Sequence, residues 1–90
     1  MANKIKSLPT PKDKGPLTAK LLGQYVKARR TQSNLRLEDT ALLCNVAKDT
    51  LSKIENARGG VRFENILHVC QMLGIELKVV PWEHKLEKKS

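Results

Sequence analysis

The apolar positions keep a helical period through the middle of the chain and change to a period of two near its end. Leu22 and Val26 share one face of a stretch that Thr18 can cap, which predicts a first helix over about residues 18–30. "TQSN" closes it, and Asn34 tolerates a left-handed turn. A second helix is expected from Leu37 to Cys44, with Glu38 and Asp39 in the first turn, where the helix dipole favours acids. Asn45 offers another left-handed turn before a third helix over about residues 47–56. Wound as a helix, "NVAKDTLSKIEN" gathers Val46, Leu51 and Ile54 on one side and Lys48, Asp49, Ser52, Lys53 and Asn56 on the other. The loop "ARGG" leads to a fourth helix over about residues 63–73, expected to bury Phe63, Ile66, Val69, Cys70 and Leu73 and to stop at Gly74.

In "IELKVVPW", Ile75, Leu77 and Val79 alternate with Glu76 and Lys78, a strand pattern. No other segment reads as a strand, so this one must pair with another chain or stay frayed, and its own copy across a two-fold axis is the simplest partner. The expected fold is all-α, a small helical bundle around a central helix-turn-helix, with one C-terminal β-strand pairing across a homodimer. Four parts are expected: a flexible basic arm (1–16), the helical domain (17–74), a dimerisation strand (75–81) and a charged tail (82–90). Trp82 suits an anchor for a partner or for the chain's own dimer equally well.

Composition changes the picture by adding charge. The 90 residues suit one domain, and with only three aromatics its core must be aliphatic. The formal charge is +8, and nine Lys and Arg against five Asp and Glu between residues 17 and 74 place part of that excess in the folded body. Such a balance favours an anionic partner, with nucleic acid first. Cys44 and Cys70 fall at apolar positions without metal-ligand spacing, and read as reduced core thiols in preference to a disulfide. Neither His68 nor His84 has a nucleophile spaced to suggest catalysis, so no enzyme, metal or cofactor is expected. No apolar run would span a bilayer and none follows the basic N-terminus as in a signal peptide, which makes the cytoplasm the expected location.

Two short helices joined by a tight turn form a helix-turn-helix, whose second helix fits a DNA major groove. On that reading Lys48, Asp49, Thr50 and Ser52 are the candidates for base edges. Arg36, Lys53, Asn56 and Arg58 stand where phosphates would flank the groove. The alternative for the same row is a merely solvated face.

The run "LGQYVKARR…LEDTALLCNVAKDTLSKIEN…FENILHVCQMLGI" resembles the Cro and phage-repressor (XRE) family of lambda-repressor-like helix-turn-helix proteins over about residues 20–75. The stretch Val46-x-x-x-Thr50-Leu51-Ser52-Lys53-Ile54-Glu55-Asn56 is specific to that pattern. The resemblance implies that Ala41 is the small residue where the two helices cross. It also implies that Arg30 and Glu55 form an ion pair tying the first helix to the end of the recognition helix. The helix followed directly by "IELKVV" is most similar to the HipB-like antitoxins, which implies a dimer that represses its own operon and holds a HipA-type kinase toxin. Four positions depart from the pattern: Arg36 and Ala47 stand where capping Ser or Thr is usual, Leu37 replaces a phosphate-binding Gln, and Asn45 replaces Gly. A lost cap costs about 1 kcal/mol. The departures keep two other readings open: a partner-binding adaptor with weak or lost DNA binding, and a stand-alone repressor.

Overall fold

The structure, a computed structural model, describes residues 5–82. Its elements are α1 (Ala19–Gln32), α2 (Leu37–Cys44), α3 (Lys48–Glu55) and α4 (Phe63–Met72). The Thr18 hydroxyl caps α1 by accepting from the Leu21 N–H at 3.0 Å. Neither α2 nor α3 has a side-chain cap, as Arg36 and Ala47 implied. Leu22, Val26, Ala41, Cys44, Leu51, Ile54, Val69, Cys70 and Leu73 form one aliphatic core between the helices. Both cysteines are buried and free. Burial raises the Cys44 thiol above its ordinary range and pushes Cys70 up to about 11, with Cys44 as a second cause. Protonated thiols of this kind pack as small hydrophobes and react slowly.

All four helices end the same way. Asn34, Asn45, Ala57 and Gly74 take positive φ of 57°, 57°, 53° and 75°. After each, the chain turns so that the next N–H bonds five residues back: Leu35 to Arg30, Val46 to Ala41, Arg58 to Lys53 and Ile75 to Cys70. This Schellman arrangement satisfies carbonyls that a bare helix end leaves open. Asn and Gly tolerate the left-handed conformation, whereas Ala57 meets the Cβ penalty in full.

Three expectations are corrected. Residues 75–82 form no strand ladder among the described residues. Ile75 and Leu77 pack half-buried on the core of their own chain, and Val79 is 88% exposed. The alternating pattern thus records one side laid on the helical body, with no adjacent strand to complete hydrogen bonds. Phe63 is 64% exposed at the start of α4, whereas Ile66 packs half-buried on the core and Val69, Cys70 and the following Leu73 are buried in it. Finally, the segment expected as a flexible arm is fastened from residue 5 onward. The Ile5 N–H donates to Asn34 Oδ1, the Leu8 N–H to Thr31 Oγ1, and Gln32 Nε2 to the Leu8 carbonyl. Further along, Tyr25 Oη reaches the carbonyls of Pro11 and Asp13. The arm therefore runs antiparallel to α1, held by polar side chains that α1 presents outside the core. Of the charged tail, only Trp82 lies within the described residues, and it is exposed.

Candidate nucleic-acid interface

Two packing devices hold α3 outward. The first is a close approach of α1. A Cβ placed on Gly23 would lie 2.5 Å from the Ile54 carbonyl oxygen and 2.7 Å from that of Glu55, so only glycine lets α1 meet the end of α3. The second is the Arg30–Glu55 pair. Arg30 Nε and Nη2 donate to the two carboxylate oxygens at 2.6 and 3.0 Å, and Nη1 donates to the Leu35 carbonyl at 2.8 Å. Both residues are buried. One guanidinium thus joins α1, the turn into α2 and the last residue of α3. Leu8, Pro9 and Pro11 of the arm line a cavity together with Glu55.

With its back so fixed, α3 presents the expected row. Lys48 and Asp49 are exposed in the first turn, and Thr50, Ser52 and Lys53 are half-buried along its flanks. Two small clusters form within the row. Lys53 Nζ lies 3.4 Å from Asp49 Oδ2, one turn earlier. Ser52 Oγ accepts from Arg58 Nη2 at 2.7 Å, and Asn56 Nδ2 donates to the Ser52 carbonyl at 2.9 Å. Arg36 is exposed at the start of α2. The Glu38 carboxyl is held below its usual range first by its own backbone N–H and then by the Lys48 ammonium. The candidate dimerisation residues Ile75, Leu77 and Val79 lie on the separate C-terminal segment.

Sequence reasoning missed Gly23, Arg29 and the arm's partners. Arg29 Nε donates to the Leu73 carbonyl at 2.8 Å and so fastens the end of α4 to α1. Gly23 had a usable signal: a glycine inside an amphipathic helix costs about 1 kcal/mol against alanine, which flags a close backbone approach.

The chain belongs to the helix-turn-helix domain family, which matches residues 21–80. No curated protein matches it. Among solved structures it is similar to a chain of the HipA-HipB-O2-O3 complex, at 15% identity and a TM-score of 0.67, with 79% of this chain and all of that one covered. A HipB variant in complex with an O2 20mer gives the same identity and TM-score, over 80% of this chain and all of the other. The clp gene regulator ClgR from C. glutamicum is 30% identical over 68% of this chain and 79% of its own, with a TM-score of 0.58. The helical body is therefore a helix-turn-helix bundle that shares its fold with HipB. Among the described residues no helix is long and apolar enough to cross a membrane.

Proposed function

We propose that this protein binds double-stranded DNA in a sequence-specific way, inserting α3 into the major groove, and acts as a repressor of the antitoxin type. The observation that carries this reading is the solvent-facing polar row of α3, fixed from behind by Gly23 and the buried Arg30–Glu55 pair. A face that was merely solvated would not require its helix to be clamped in this way. Lys48 then approaches base edges, while Arg36 and Lys53 meet the flanking phosphates. The role is one of binding and not of catalysis. HipB has been solved with O2 and with HipA, which supports DNA as one partner and a HipA-type kinase as a second.

The two classes of contact fail differently. Lys48→Ala is expected to lose roughly 1–3 kcal/mol on the cognate site and little on random DNA. Lys53→Ala and Arg36→Ala should weaken cognate and random DNA alike, each lowering the slope of log affinity against log salt by about one. Fluorescence anisotropy titrations over a salt series check this; wild-type behaviour in all three variants would sink the reading.

The protein acts on this proposal as a homodimer, giving two half-sites about one helical turn, roughly 34 Å, apart. Because Ile75 and Leu77 pack on the core, truncation after Lys78 removes the exposed Val79, Val80 and Trp82 without stripping the body. Light scattering should then report a weakened dimer, and an unchanged one would take the segment out of the interface.

A further inference from the structure

Arg58 is the point at which the outward face of α3 holds more than the charge pattern implied. The helix ends at Glu55 with Asn56 as its cap, and Ala57 reverses the chain at φ 53°, a conformation that costs a non-glycine residue free energy. The reversal carries the Arg58 side chain back along α3, where Nη2 meets Ser52 Oγ at 2.7 Å. Asn56 Nδ2 approaches the same hydroxyl at 3.4 Å. The Ser52 oxygen is therefore occupied as an acceptor, and the guanidinium lies beside the middle of the recognition helix and not at its edge.

We propose that Arg58 reads a guanine base in the major groove, and that Ser52 is the positioning residue which orients it. This rests on the DNA-binding function proposed above. A guanidinium has five N–H donors in a planar fork, and one bond to Ser52 leaves the others for guanine O6 and N7, the commonest specific contact to DNA. The other arginines are otherwise placed. Arg29 and Arg30 are bound to Leu73 and Glu55, Arg62 approaches Glu64 at 3.5 Å, and Arg36 belongs to the start of α2. Arg58 is thus the planar fork set on the outward face of α3, where Lys48 is a point charge. The loop beyond it is open to a bulky partner. Gly59 and Gly60 have φ of 78° and 73°, and a Cβ on either would meet nothing within 4 Å. Bare backbone over empty space lets a groove wall come close to Arg58.

Selection of bound sequences from a random duplex pool distinguishes this from a phosphate contact, because Arg58→Lys keeps the charge but loses the fork. Wild type should enrich a guanine at one position of each half-site. Arg58→Lys and Arg58→Ala should both lose that guanine, with roughly a 5- to 150-fold loss on the wild-type site relative to random DNA. Ser52→Ala should keep the same guanine at a weaker preference, and Ser52→Thr, which retains the hydroxyl, should restore it. If Arg58→Lys binds with unchanged base preferences and Arg58→Ala weakens all sequences equally, Arg58 is a phosphate contact and the inference is overturned. A wild-type chain that retains no duplex even at low salt overturns the DNA-binding function itself, and this inference with it.

Discussion

Replacing Gly23 by alanine should lower the melting temperature by roughly 12–24 °C, although the same change stabilises most helices. On α1 taken alone, alanine is favoured by about 1 kcal/mol. In this fold the added methyl meets the Ile54 and Glu55 carbonyl oxygens at 2.5 and 2.7 Å, and those atoms belong to the backbone of α3. A flexible side chain would swing aside; a helix end cannot move without opening the core behind it. Overpacking of this kind costs about 1–3 kcal/mol and occasionally more, and backbone contacts this short place it at about 3. For a domain of this size each kcal/mol is worth about 4–8 °C. The sign decides the matter: a circular-dichroism melt showing a rise for Gly23→Ala would mean that α1 and α3 do not approach as described. Loss of that approach would also tilt α3, so DNA affinity should fall with stability.

How much of this was legible in the sequence depended on whether a feature was local. The four helices followed from the period of the apolar residues, and three of the four helix ends from Asn34, Asn45 and Gly74, whose side chains advertise a left-handed conformation. Ala57 adopts the same conformation without any such sign, since its strain is set by the loop and by the return of Arg58 to Ser52. The outward row of α3 was readable residue by residue. The partnerships within it were not, because Arg58 reaches Ser52 only through that unadvertised turn. The C-terminal alternation was read as a strand, whereas period two states only that one side is buried. It does not state against what, and Ile75 and Leu77 found the body of their own chain. The arm was missed for a related reason. It has no period because it is held through backbone groups, by Asn34, Thr31, Gln32 and Tyr25, and such bonds leave its own side chains unconstrained.

The Arg30–Glu55 pair, in contrast, was recognisable only through family resemblance, and its environment makes the second large effect. Glu55→Ala should destabilise the fold by about 3–5 kcal/mol, the usual result of stranding one charge of a buried pair. Arg30 is 7% exposed and would keep only the Leu35 carbonyl as a partner. The exposed Glu38 supplies the control, since its removal strands no buried charge and should leave the melt close to wild type. A second comparison separates loss of a favourable pair from isolation of a charge. The double variant Arg30→Met/Glu55→Leu removes both ions together and should recover the greater part of the lost stability, because buried pairs exchanged for apolar residues are often nearly neutral. Recovery would be incomplete by the Leu35 carbonyl, which then lacks its donor. Equal melting temperatures for Glu55→Ala and Glu38→Ala would refute the buried-charge argument. A double variant no better than Glu55→Ala would place the cost in lost bridging of α1 to α3, the connection that holds the outward face of α3 in place.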